Sequence, residues 1–183
     1  MQEDSLVDWV KLQLDLAAFE DAPFQPYLRQ SERAGLRFTT VAEIGDDHAS
    51  RQSLYELNKT CSADIPGRGE FYTFEQYLAE RIDVPSYDPQ GIVLAIGHGT
   101  WIGMAATSMH PERDFAFSEM TGVLPAYRGQ GVSIAMKLLA IEYVRGERHL
   151  RWLRAFHHPA NAPAIAMNRR LGFVDEDPRI WTS

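Results

Sequence analysis

The pattern of apolar and polar positions divides the chain into short strands and amphipathic helices. Residues Val7 to Leu16 alternate toward their end, with Leu12, Leu14 and Leu16 on one face, and so read as a strand. Pro23 and Pro26 open a short helix ending near Gly35, and Leu36 to Val41 reads as a second strand. Asp46 or Asp47 caps a helix that runs toward Lys59, whereas Ser62 to Glu70, with two glycines and a proline, is a loop. Another helix spans Thr73 to Ile82, and Val84 to Gly91 is rich in turn formers.

Three strands then follow closely. Gly91 to Ile96 is a continuous apolar run, as expected of a strand buried on both faces. Gly97-His98-Gly99 is a hairpin turn into Trp101 to Met109, and His110 to Asp114 turns the chain into Phe115 to Val123. Together they predict an antiparallel meander. After Pro125 the period lengthens: Val132, Ala135, Met136, Leu139 and Tyr143 share one face of a helix. Leu150 to Phe156 is a strand, Asn161 caps a helix with Pro163 close behind and Gly172 at its end, and Phe173 onward is extended. The order predicts one α/β domain with a mixed sheet.

Composition narrows the class. A chain of 183 residues suits a single domain, and 45% hydrophobic with 23% charged residues is the profile of a globular protein. Apolar runs such as Ile92 to Ile96 are too short to cross a bilayer, and the acidic start Met1-Gln-Glu-Asp lacks the basic and apolar parts of a secretory signal. The single cysteine, Cys61, excludes an intramolecular disulfide and fits a cytoplasmic protein; it reads as a packed or surface thiol.

A net charge of −7 argues against nucleic acid as partner. The charge is uneven, with Arg145, Arg148, Arg151, Arg154, Arg169 and Arg170 late in the chain and Glu43, Asp46 and Asp47 earlier. A basic part suits a polyphosphate cofactor and an acidic remainder a cationic acceptor, although chance clustering on a solvated surface explains the charge equally well.

Chemistry concentrates where strand turns into helix, at Arg128-Gly-Gln-Gly-Val-Ser133. Glycines let the backbone approach a ligand, and the free N–H groups and dipole of a helix start favour phosphate. The stretch is neither a G-x-x-x-x-G-K-[ST] loop nor a full G-x-G-x-x-G fingerprint, and Gly-x-Gly alone also describes a plain tight turn.

The wider pattern distinguishes the two. Val123-x-Pro125-x-x-Arg128-Gly-x-Gly131, then a helix, a strand, and Asn161-x-x-Ala164 with Leu171-Gly172-Phe173, resembles the GNAT superfamily of N-acetyltransferases over Gly91 to Phe173. The resemblance implies a mostly antiparallel mixed sheet flanked by helices, with acetyl-CoA in a splayed V between two central strands. It also implies that Arg128, Gly129, Gln130, Gly131, Val132 and Ser133 hold the pyrophosphate. Thr121 and Val123 offer backbone groups to the pantetheine arm, and Asn161 stands on the same cofactor side. Ser133 replaces the usual Gly or Ala and is small enough to fit. Arg128 is either a phosphate partner or a surface charge, and the motif favours the former.

Transfer to a primary amine requires a base, a polarised carbonyl and a stabilised thiolate. Glu119 is the candidate base: on a regular strand it shares a face with Phe117, Thr121 and Val123, and apolar surroundings would raise its pKa. An edge carboxylate facing water is the alternative. Family members often carry a tyrosine seven residues after the asparagine matching Asn161; here that position is Asn168, expected to point at the cofactor sulfur. An amide donates a hydrogen bond but supplies no proton. His157 and His158 are the nearest titratable alternatives, unless they are ordinary loop residues, and no metal site is expected.

The details Thr121-Gly-Val, Met136-Lys137, Asn161-Ala-Pro and Met167-Asn-x-x-Leu-Gly-Phe173 resemble GNAT domains of the mycothiol synthase type, several of which occur in tandem. By that resemblance residues 1–22 form the strand and linker of a tandem protein and residues 23–183 the acyltransferase domain. Val7 to Leu16 would fill the sheet edge that the short C-terminus leaves open, within this subunit or by strand exchange in a homodimer. Asp64, Glu70, Phe71 and Tyr72 are expected on the acceptor side. The leading expectation is an N-acetyltransferase acting on a small-molecule or peptide amine, without nucleic acid or membrane partners. An acyl-CoA sensor is the alternative, and a structural dimerisation domain a third.

Overall fold

A computed structural model describes residues 7–181; expectations touching residues 1–6 and 182–183 lie outside the described residues. The elements run β1 (Val10–Asp15), α1 (Gln25–Arg33), β2 (Arg37–Thr40), α2 (Val41–Ile44), α3 (His48–Cys61) and α4 (Phe74–Tyr77). They continue with β3 (Ile92–Gly97), β4 (Thr100–His110), β5 (Phe115–Val123), α5 (Val132–Gly146), β6 (Trp152–His157), α6 (Ala162–Arg170), β7 (Val174–Asp175) and α7 (Pro178–Trp181). The strands form one mixed seven-stranded sheet in the order β2-β3-β4-β5-β6-β1-β7.

Most pairings are antiparallel, and the expected meander is β3-β4-β5. The exception is β5 beside β6, which run parallel and pair only at Phe115↔Trp152, Ala116↔Leu153 and Phe117↔Arg154. Beyond that point β5 continues to Val123 and β6 to His157 without pairing to each other, so the sheet opens there into a V.

α5 is buried along more than the single face expected from its sequence. Val132, Met136 and Ala140 pack with Val93, Ala95, Ile102 and Ala105 of the β3-β4 half. Ile134, Leu138, Ile141 and Val144 pack with Leu12, Leu14, Leu153 and Ala155 of the β6-β1 half. One helix therefore bridges both halves beneath the split. Burying each of the valine, leucine, isoleucine and methionine side chains contributes roughly 1.5–3 kcal/mol before entropy is counted.

β1 lies inside the sheet of its own chain, antiparallel to β6 from Val10↔His157 to Asp15↔Trp152. Its alternation has the predicted consequence, with Leu12, Leu14 and Leu16 all buried. It is not the edge, because β7 pairs outside it through Leu12↔Asp175 and Gln13↔Val174. The segment after Phe173, expected to stay extended, makes this two-residue strand and then turns into α7. Trp181 Nε1 donates to the Oε1 of buried Gln13 at 2.7 Å, which holds that turn against β1.

Two local expectations change. The helix expected from Thr73 to Ile82 is α4 followed by a π-helical turn over Leu78–Ile82, a widening that rotates the side chains beyond it. Asn161 occupies the position before α6, but its side chain makes no capping hydrogen bond and its backbone is non-extended (φ −84, ψ 61). Asp47, in contrast, caps α3 by accepting from the Ser50 N–H at 2.8 Å.

Candidate functional site

The β5-to-α5 connection is built to expose amides. Gly129 and Gly131 take left-handed backbone conformations (φ +75 and +79), which side chains rarely tolerate. Gly131 also backs onto α1: a Cβ there would stand 2.5 Å from Tyr27 Cδ1. Ala135 N–H bonds back to Gly131 O, leaving the amides of Val132, Ser133 and Ile134 as the free first turn of α5. They face a cleft of about 850 Å³ that is lined by Thr121, Val123, Arg128, Gly129, Gln130, Gly131, Val132, Ser133 and Asn161, all the residues expected there.

One wall of the cleft is the free edge of β5. Leu124 N–H donates to Ile102 O across the β4-β5 ladder, so the alternation of an antiparallel strand turns the N–H and C=O of Val123 and Thr121 the other way, into the V. Thr121 Oγ1 is buried without a hydrogen-bond partner. The cleft thus offers strand-like backbone pairing at one end and a helix N-terminus at the other. An extended ligand ending in a polyanion fits it.

Arg128 is engaged by its own chain. Its Nε donates to Val123 O at 3.1 Å and its Nη1 to Asp64 Oδ2 at 2.8 Å. Asp64 therefore belongs to the cofactor-side cleft rather than to the acceptor wall, and it partly neutralises the expected phosphate partner. Arg170 supplies a further guanidinium to this cleft, stacked 5.1 Å from the Tyr27 ring centroid. In the sequence it stands only as one of several clustered arginines.

The second pocket, of about 510 Å³, has aromatic walls that include Phe71, Tyr72, Tyr77 and Tyr87, with Glu70, Glu80 and Glu119 among its carboxylates. It meets the first cleft at Ile65, Pro66 and Met120, which line both. Glu119 does not share a face with Thr121 and Val123. The register between β4 and β5 shifts at Ala106/Thr107, where Met120 pairs with Ala106 but Ser118 with Thr107, and the additional residue is Glu119. This bulge puts Glu119 in the second pocket beside Met120. Its surroundings are polar, not apolar: Oε1 accepts from Ser108 Oγ at 2.6 Å and Oε2 from Arg81 Nη1 at 3.0 Å. Arg81, on the π-helical turn, also donates to Tyr72 OH at 3.0 Å.

Asn168 does not reach the cleft. It is fully buried, and its Nδ2 contacts His157 Nε2 at 2.6 Å and donates to Ala164 O at 3.2 Å, while its Oδ1 has no partner. α6 turns this side chain onto β6 instead of toward a bound sulfur. Burial, reinforced by nearby Lys137, pulls His157 down to about 4, so it is neutral at pH 7 and cannot serve as the acid. His158 stands by the Ile65–Gly67 loop, 6.1 Å edge-on from Trp9.

Residues 51–173 match the profile of the acetyltransferase (GNAT) family. The chain belongs to this family. Among its relatives, a mycothiol acetyltransferase from Thermobifida fusca (strain YX) is 27% identical over 186 residues, covering 94% of this chain and 54% of the relative. Another, from Thermobispora bispora, is 32% identical over 145 residues, 76% of this chain and 47% of that one. The chain thus spans about half the length of these curated relatives. In structure it is similar to a GCN5-related N-acetyltransferase from Sphaerobacter thermophilus, with a TM-score of 0.64 and 19% identity over 92% of this chain and 48% of that one.

In this GNAT domain the V, the Gly-x-Gly turn and the α5 N-terminus stand in one continuous cleft. Among the described residues no cluster of three or more His, Cys, Asp or Glu is arranged to hold a metal, and no helix is long and apolar enough to cross a membrane.

Proposed function

We propose that this GNAT domain moves an acetyl, or another short acyl, group from CoA to the primary amine of a small molecule or peptide. The observation that carries this reading is the meeting of an amide-lined cleft and an aromatic, carboxylate-bearing pocket at Met120, beside the β5 bulge. The pyrophosphate rests on the amides from Gly129 to Ser133, with Arg170 alongside. The pantetheine arm extends the sheet along Val123 and Thr121, and an outward N–H of β5 polarises the thioester carbonyl. In the second pocket Glu119, held in place by Ser108 and Arg81, takes a proton from the incoming ammonium, and the freed amine attacks the carbonyl carbon. The buried, unpaired thiol of Cys61 suits a reducing cytoplasm.

A sensor that binds acyl-CoA without turnover is the second reading, favoured by the burial of Asn168 away from the cleft. Thiol release from acetyl-CoA against a panel of amines, polyamines, aminoglycosides and peptides separates the two. Turnover with any acceptor excludes the pure sensor. Glu119→Gln is expected to lower kcat on the order of 100-fold or more while acetyl-CoA affinity stays unchanged. Full activity in that variant removes Glu119 from the role. Gly129→Pro is expected to abolish acetyl-CoA binding in calorimetry, and retained affinity would overturn the cofactor assignment.

A further inference from the structure

Lys137 lines neither cleft, yet it is one of the most deeply buried side chains, 1% exposed. It projects from α5 between the two apolar stripes that grip the halves of the sheet, beneath the split. Its Nζ donates to Ser118 Oγ at 2.7 Å and lies 5.0 Å from the Phe173 ring centroid. Among the described residues no carboxylate forms an ion pair with it. The groups around it are Ser118 from β5, neutral His157 from β6, Asn168 of α6 behind His157, and Phe173.

Packing alone does not account for a lysine there. A methionine would fill similar volume without the desolvation cost of an ammonium that has no carboxylate beside it. The position does have a chemical meaning. Ser118 is the first β5 residue beyond the last β5-β6 pair, Phe117↔Arg154, and is half-buried at the root of the V. Ser118, like Lys137, is not on the lining of either cleft, and a CoA arm running from the α5 N-terminus past Val123 and then Thr121 would bring its sulfur toward that root.

We propose that Lys137 is a positioning residue that keeps a positive charge behind Ser118, to stabilise and then protonate the CoA thiolate as it leaves; this rests on the acyl transfer proposed above. When the amine nitrogen bonds to the carbonyl carbon, the C–S bond breaks and its electron pair goes to sulfur. Ser118 O–H gives its proton to that sulfur, and Lys137 N–H replaces it on the Ser118 oxygen. The acceptor nitrogen, which enters as ammonium, sheds two protons, one to Glu119 before attack and one to solvent as the amide forms, and the neutral Lys137 amine regains one from solvent, so one proton is released overall. Burial brings Lys137 to about 7, so gaining and losing a proton are both accessible near neutral pH.

The test needs no acceptor. Lys11, Lys59 and Lys137 are the only lysines, so ¹³C labelling at lysine Cε gives three signals to titrate. Saturation with the sulfonate of CoA, whose oxidised sulfur carries a fixed negative charge where the leaving thiolate would form, is expected to raise the Lys137 pKa by about one unit or more relative to saturation with acetyl-CoA, whose thioester carries no such charge. Equal Lys137 titrations with the sulfonate and with acetyl-CoA overturn the proposal, and that measurement needs no variant. Calorimetry run alongside keeps the two levels apart. No binding of either compound overturns the cofactor assignment and this proposal together, whereas binding without the shift removes only the role of Lys137.

Discussion

Gly131 joins the proposed pyrophosphate turn to the packing of α1, and a substitution there separates two costs. In Gly131→Ala the backbone must hold φ +79 with a side chain, at about 1 kcal/mol. The new Cβ also stands 2.5 Å from Tyr27 Cδ1 and 3.2 Å from Cε1, so the ring or α1 must retreat by about 1 Å, an overpacking cost of about 1–3 kcal/mol. Gly129→Ala is the internal control. It has nearly the same strain, at φ +75, but nothing lies within 4 Å of its Cβ. Urea unfolding is expected to show Gly131→Ala less stable than Gly129→Ala by about 1–3 kcal/mol. Adding Tyr27→Ala should recover much of that difference, as a coupling of about 1–2 kcal/mol in a double-mutant cycle. Equal destabilisation by the two alanines, or a cycle with no coupling, would refute the view that α1 braces the turn.

Two further outcomes are expected. Burial of Lys137 lowers it from 10.5 to about 7, so between those values the unfolded chain holds a proton that the folded chain has lost. Stability therefore falls as pH drops from 10.5 to 7, by at most about 5 kcal/mol from this group, and Lys137→Met should outperform the unaltered protein by a margin that grows over the same window; a constant margin in urea unfolding contradicts this. Burial raises Cys61 to about 11, and the thiol lies on the wall of the cofactor-side cleft. Iodoacetamide at pH 8 should label it slowly, and acetyl-CoA should slow it further; labelling at the rate of a free thiol, or without protection, argues against that placement.

What could be read from the sequence depended on how far the deciding contact lies along the chain. The Gly-x-Gly turn and the alternation of β1 are local signals, and both have their expected structural consequences at Gly129, Gly131, Leu12 and Leu14. The face of Glu119 is not legible in its own strand because a bulge is a property of two strands: the register of β4 at Ala106/Thr107 decides it. The helix position of Asn168 predicts a place at the cleft, but α6 packs so that this side chain meets His157 of β6. The Arg81–Glu119 and Asp64–Arg128 pairs join residues whose sequence separations of 38 and 64 carry no periodicity to read.

The insertion of β1 between β6 and β7 also sets an order of events during synthesis. Val10 pairs with His157 and Asp15 with Trp152, so Leu12, Leu14 and Leu16 leave the ribosome long before their neighbours exist. Closing a loop of that length costs entropy before any contact forms, and topologies with distant pairings fold slowly. The β2-to-β5 half can assemble earlier, from β2-β3, β3-β4 and β4-β5 pairings that need no residue beyond Val123. In the interval the three leucines form an apolar stripe without a partner, open to a chaperone or to a second nascent chain.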